Sequence, residues 1–135
     1  MRIKEFCLLL DGCPIAINGF IITEYGQTLG IELVKNWLKL RLQNSLAIEV
    51  DPLPLPRRAV VLLREDYGFT DAKDAKYLET ALNTLARRFV TENNTHFKRP
   101  HKSPGRKPMV AFLKRTLGIH VVGIDECCIV TTAVS

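Results

Sequence analysis

Carboxylate and amide side chains flank one predicted helix–strand unit within residues 70–97. Asp71 and Asp74 stand where an apolar helical pattern begins, and Asn93 follows the short apolar segment 89–91. Oxygen ligands of this kind suit hard divalent cations, and Mg²⁺ binds through one or two carboxylates together with waters and substrate phosphates. The residue types and their spacing are therefore compatible with metal-assisted phosphodiester chemistry.

The same residues also have a purely structural interpretation. Asp71 can act as an N-cap that accepts a hydrogen bond from the Asp74 amide. Acidic residues in a first helical turn are favoured by the helix macrodipole, and Asn93 is a common turn former. The residues alone leave capping and metal binding both open.

Helical and strand-like patterns alternate along the chain. The helical pattern over 20–42 contains Gly26 and Gly30, either of which can divide it into two helices. Further helices are predicted over 57–67, from Thr70 or Asp71 to about residue 88, and over 109–117; strands are predicted over 14–18, 46–50, 89–91 and 119–124. This alternation predicts an α/β fold with a short parallel sheet between helices, which binds ligands at the carboxyl ends of its strands.

Length and composition favour one globular domain over residues 1–135. The apolar content of 47% excludes a disordered chain. The early apolar run 6–10 is too short for a membrane span or a signal peptide, which predicts a cytoplasmic protein without membrane attachment. The spacing of the cysteines fits neither a zinc ribbon nor a disulfide framework, so we expect reduced thiols at Cys7, Cys13, Cys127 and Cys128.

The stretch TDAKDAKYLETALNTLARRFVTENNTHF, residues 70–97, resembles the second half of a PIN domain, a ribonuclease fold of toxin–antitoxin systems and RNA processing. The residues that match the family pattern are Asp71, Asp74, Leu78, Ala81, Val90, Thr91, Asn93 and Phe97. Upstream, GFIITEYGQTL is similar to the family helix that carries a metal-site glutamate, here Glu24. The closing LGIHVVGIDECC resembles the family's terminal strand, so the resemblance covers about residues 5–128.

The resemblance implies a three-layer α/β fold and an endoribonuclease that uses Mg²⁺ or Mn²⁺ to hydrolyse RNA phosphodiester bonds. It implies that Glu24 and Asp74 are metal ligands, with Asp71 as a further ligand or a support for one. It also implies that Asn93 holds a metal-bound water and that Thr91 hydrogen-bonds within the site. An antitoxin-like protein partner and a homodimer are further implications.

The chain departs from the family pattern at its start. The family begins with a strand that ends in Asp-Thr-Asn or similar, and Asp11 lies too close to Glu24 to supply that aspartate. We therefore expect the family's N-terminal strand to be missing, with residues 5–17 forming the end of a helix and the second strand. This departure leaves a second hypothesis, a catalytically degenerate module that binds RNA or protein, and a third, an interaction protein that keeps only the fold.

The net charge of +5 favours a polyanionic partner. Five basic side chains follow the predicted site strand, in a loop that also holds three prolines: Lys98, Arg99, Lys102, Arg106 and Lys107. Such a segment can be ordinary solvated surface, or it can bind the phosphate backbone of RNA beside the site. With the resemblance, the sequence predicts RNA as the partner.

Overall fold

A computed structural model describes residues 5–8, 14–69, 72–91 and 109–123 of the 135-residue chain. These residues form five strands and five helices. The strands are β1 (Glu5–Leu8), β2 (Ile15–Ile17), β3 (Ala47–Glu49), β4 (Arg88–Thr91) and β5 (His120–Val122). The helices are α1 (Gly19–Leu29), α2 (Ile31–Gln43), α3 (Arg57–Tyr67), α4 (Ala72–Leu82) and α5 (Met109–Leu117). No helix in the described ranges is long and apolar enough to cross a membrane.

The strands form one mixed sheet in the order β3-β2-β1-β4-β5. β2 runs parallel to β3 and β4 runs parallel to β5, as the sequence predicted. The central strand β1 is antiparallel to both of its neighbours, so the prediction of a wholly parallel sheet is wrong. The expected helix end in residues 5–17 is wrong as well, because residues 5–8 are this central strand.

Both faces of the sheet are covered. Successive residues of a strand point to opposite faces, so a strand that is buried at every position has packing on both sides. In β1 the side chains of Phe6, Cys7 and Leu8 are all buried, and the same holds for the three residues of β2 and for Phe89 and Val90 of β4. The α/β prediction, with a sheet between helices, is confirmed at this level. Burying one large apolar side chain such as Phe6 stabilises the fold by roughly 1.5–3 kcal/mol.

Most predicted helix boundaries agree with the structure. Gly30 divides the long helical pattern between α1 and α2, with a backbone φ of 92°. α3 ends at Gly68 in a left-handed conformation, where the Phe69 amide donates to the Leu63 carbonyl at 2.9 Å. Gly118 ends α5 in the same way, with a φ of 68°.

The predicted continuation of α4 to residue 88 is wrong. The helix ends at Leu82, and Leu85, predicted on its apolar stripe, is 86% exposed. The Thr84 hydroxyl donates to the Ala81 carbonyl at 2.7 Å and accepts from the Arg87 amide at 3.0 Å, so a side chain replaces the helical hydrogen bonds here. Arg88 belongs to β4 rather than to a last helical turn.

Candidate functional site

The carboxyl ends of β2 and β4 meet the start of β1 at one edge of the sheet. Thr91, the last residue of β4, pairs directly with Glu5, the first residue of β1. The Tyr25 hydroxyl of α1 donates to the backbone carbonyl of Glu5 at 2.7 Å and fixes the start of the central strand. Because β1 runs against its neighbours, it brings its amino end, and the Glu5 carboxylate, to the edge where parallel sheets bind ligands.

The Tyr77 phenol of α4 lies within electrostatic reach of acidic side chains from three elements. Tyr77 is buried against β4, with its ring stacked on Phe89 at a centroid distance of 5.4 Å. Burial raises the pKa of the Tyr77 phenol, and the side chains of Glu5, Cys7, Glu24 and Asp74 raise it further. The charges of Glu5, Glu24 and Asp74 therefore act on one neutral hydroxyl.

Glu24 and Asp74, both predicted as metal ligands, lie on neighbouring helices. Asp74 stands in the first turn of α4 and its side chain is buried. The Glu24 carboxylate lies 3.7 Å from the Lys73 ammonium, and its side chain is 20% exposed. Lys73 precedes Asp74 in the chain, so the ion pair ties the start of α4 to α1 and compensates the charge of Glu24.

The structure brings three of the predicted site residues to this region. Thr91 is buried beside Glu5, and Glu24 and Asp74 act on Tyr77. Asp71 and Asn93 lie outside the described residues, as do the five predicted RNA-binding residues: Lys98, Arg99, Lys102, Arg106 and Lys107. Within residues 5–8, 14–69, 72–91 and 109–123, no three His, Cys, Asp or Glu side chains are close enough together to hold a metal ion.

Comparison with known proteins gives no relative. No family model, curated protein or solved structure matches this chain significantly. What the site can do must therefore follow from the side chains themselves.

Sequence reasoning did not identify Glu5, Lys73 and Tyr77 as part of this region. Glu5 precedes the apolar run 6–10, a pattern that also fits the boundary of a helix. Its place beside Thr91 follows from the antiparallel pairing of β1 with β4, which is a contact between distant parts of the chain. A lone glutamate ahead of an apolar run carries no sequence signal for that pairing.

Asn18 follows β2 at the same edge and has a structural role. Its side-chain oxygen accepts from the Ile21 amide at 3.0 Å and caps α1. Its side-chain nitrogen donates to the Val50 carbonyl at 3.1 Å and to the Thr80 hydroxyl at 2.9 Å. One buried amide thus joins the ends of β2 and β3 to α4 and fixes the relative positions of the two helices that carry Glu24 and Asp74.

Proposed function

We propose that this protein is a PIN-like endoribonuclease that hydrolyses RNA phosphodiester bonds in the cytoplasm and depends on Mg²⁺ or Mn²⁺. The observation that supports the proposal is the grouping of Glu24 and Asp74, whose helices are joined by the Lys73–Glu24 ion pair at 3.7 Å, with Glu5, whose charge also acts on the Tyr77 phenol. These side chains come from β1, α1 and α4, beside the carboxyl end of β4. The family pattern places its aspartate at the end of a first strand, whereas Glu5 is the first residue of the central strand and would reach the same end of the sheet because that strand is antiparallel.

The donor chemistry fits a hard divalent cation, because every candidate ligand is a carboxylate or amide oxygen. Glu24 and Asp74 would hold the ion, and Glu5 would supply a further carboxylate from the central strand. The described side chains do not by themselves make a three-ligand group, so the proposal also needs Asp71 and Asn93, which lie outside the described residues. When bound, such an ion activates a water and balances charge on the phosphate.

The remaining roles belong to the protein itself. Lys73 lies close enough to Glu24 to compete with a cation for that carboxylate, and it can carry a phosphate contact when the cation displaces it. Tyr77 stays protonated and can donate a hydrogen bond. The basic residues from Lys98 to Lys107 follow β4 in the chain and would bind the RNA backbone.

The test is cleavage of fluorescent single-stranded RNA, combined with calorimetric titration of Mn²⁺. We expect cleavage that needs Mn²⁺ or Mg²⁺ and stops in EDTA. Asp74→Asn keeps the shape of the side chain but removes its charge, so we expect Mn²⁺ affinity to fall at least about tenfold. Cleavage should fall with it.

Asp66→Asn is the matched control, because Asp66 is exposed on α3 and carries the same charge. We expect this variant to bind Mn²⁺ and to cleave RNA like the wild type. Cleavage that persists in EDTA, or that Asp74→Asn leaves unchanged, would contradict the proposal.

One observation favours a second candidate function, an RNA-binding module that does not cleave. Glu24 is already compensated by Lys73, and no three-ligand group exists within the described ranges. A carboxylate paired with an ammonium group has less attraction left for a cation. Such a module would bind RNA through charge alone, without a divalent ion.

Anisotropy measurements with labelled RNA in EDTA test this candidate. Replacing Lys98, Arg99, Lys102, Arg106 and Lys107 with Gln should lower the affinity and reduce the slope of log K against log salt by roughly 0.7 for each lost contact. The matched control replaces five exposed basic residues elsewhere: Lys35, Lys39, Arg57, Arg58 and Arg115. Equal losses in the two variants would show non-specific attraction to net charge and would contradict a binding role for the segment.

A further inference from the structure

A concave site lies between the proline-rich segment 51–56, α3 and α4. The cavity has a volume of about 510 Å³, and its walls include Leu55, Leu63 and Phe69. Its size falls within the range of roughly 300–1,000 Å³ that is typical of small-molecule sites. The cavity is too small to receive a folded partner.

The wall formed by the proline-rich segment is held in place by the backbone. Prolines at positions 52, 54 and 56 prevent the segment from continuing β3 or starting α3 early. The Leu53 amide donates to the Glu79 carbonyl of α4 at 2.9 Å, and the Asn83 side chain donates to the Asp51 carbonyl at the same distance. The opening between this segment and α4 is therefore part of the fold.

The polar side chains that line the cavity carry a net positive charge. The Lys76 ammonium lies 3.2 Å from the Glu79 carboxylate, so these two charges compensate each other. Arg64 also lines the cavity, and no carboxylate within the described ranges forms an ion pair with it. The excess charge of the lining is that of Arg64, whose guanidinium suits a carboxylate through paired hydrogen bonds.

We propose that this cavity binds a small amphipathic organic anion, a carboxylate attached to an apolar chain or ring. The carboxylate lies at Arg64, and the apolar part packs against Leu55, Val60 and Phe69. The lining residues of α4, among them Ala75 and Glu79, occupy a different face of that helix from Asp74.

The test is an NMR titration of the ¹⁵N-labelled full chain with three probes of equal chain length: decanoate, decanol and decyltrimethylammonium. We expect saturable shifts at amides around the cavity, with decanoate at least about tenfold tighter than the ammonium probe. Arg64→Gln should lower the decanoate affinity about tenfold and leave the decanol affinity unchanged within about twofold. Arg58→Gln is the matched control, because Arg58 is exposed on the same helix and does not line the cavity.

Val60→Trp places a large side chain at the cavity, from a position that is 37% exposed in the structure. We expect it to weaken decanoate and decanol together, while amide shifts of the sheet show that the fold is kept. The proposal is overturned if decanoate and the ammonium probe bind equally, or if Arg64→Gln or Val60→Trp leaves decanoate binding unchanged. It is also overturned if decanoate does not bind, whether or not contacts to the Val60 methyl groups show another part of the chain filling the cavity.

Discussion

At the residue scale, the buried side-chain amide of Asn18 forms hydrogen bonds through both its oxygen and its nitrogen. The Thr80 hydroxyl that accepts from it donates its own proton to the Lys76 carbonyl at 2.9 Å. A carboxylate at position 18 would keep the cap on α1 but would face an acceptor at Val50 and a hydroxyl whose proton is already engaged. A buried polar group without a partner costs about 1–3 kcal/mol.

We therefore expect Asn18→Asp to lower the free energy of unfolding by about 1–3 kcal/mol, measured by urea denaturation at neutral pH. Asn83→Asp is the matched control, because Asn83 is exposed and its side chain makes one hydrogen bond, to the Asp51 carbonyl. This variant should lose less than about 1 kcal/mol. Equal losses would mean that the Asn18 network does not hold the sheet edge together.

The Cys7 thiol, on the central strand, is inaccessible and weakly acidic. It is fully buried and donates to the Tyr77 carbonyl at 3.1 Å, and burial raises the pKa of the thiol. Because the thiolate is the reactive form, we expect iodoacetamide to label Cys7 far more slowly in the native protein at pH 8 than in urea. Peptide mass mapping separates Cys7 from the other cysteines. Native labelling at the denatured rate would contradict the burial of β1.

At the scale of elements, Gly30 makes the turn from α1 to α2 possible. Its φ of 92° and ψ of 134° belong to a region that side chains avoid, although a methyl group there would meet no other atom. We expect Gly30→Ala to lower the free energy of unfolding by about 1–3 kcal/mol from backbone strain alone.

Gly19→Ala is the control for Gly30→Ala, since Gly19 starts α1 at an ordinary φ and an added methyl group also meets open space. Thermal or urea denaturation of the two variants should separate the effect of backbone strain on stability from any effect of the added methyl group on packing. A Gly30→Ala protein as stable as Gly19→Ala would show that the turn can adopt another conformation.

The end of α4 shows where local pattern fails as a predictor. The spacing of Leu78, Ala81 and Leu85 predicts a helix with Arg87 in its last turn, yet the chain leaves the helix after Leu82. The Arg87 guanidinium donates to the Leu117 carbonyl at 3.1 Å, so it serves the carboxyl end of α5 rather than that of α4. Both helix ends offer carbonyls to a cation, and only the packing of α5 beside the turn decides between them.

At the scale of the whole molecule, two buried phenols make the free energy of unfolding depend on pH. Burial raises the pKa of Tyr25 and of Tyr77 above the ordinary value of 10.0. Above about pH 10 the unfolded chain releases protons that the folded chain keeps, so the free energy of unfolding falls as the pH rises. Each phenol contributes up to about 1.4 kcal/mol for each pH unit over that range.

Urea denaturation between pH 8 and pH 12 measures this slope. We expect Tyr77→Phe to flatten it by the contribution of one phenol, whereas Tyr67→Phe keeps both buried phenols and should leave it unchanged. A Tyr77→Phe slope equal to that of the wild type would mean that the Tyr77 phenol ionises in the folded protein, and hence that the carboxylate region is open to solvent.

The amino-acid sequence by itself determined the α/β class, both ends of α3 and of α5, and the presence of parallel strands. These features follow from periodicity, prolines and glycines, which act over a few residues. It also identified Glu24, Asp74 and Thr91 as candidates, and the structure brings these three to one region.

Only the tertiary structure decided which residues form the central strand and which side chains that strand brings together at its start. Residues 5–8 form that strand because their apolar side chains can be buried on both faces between β2 and β4, and that gain depends on residues far along the chain. The antiparallel direction of β1 then carries Glu5 to Thr91. A one-dimensional pattern specifies which side chains must be buried, but the partner and direction of a strand follow from the packing of the whole sheet.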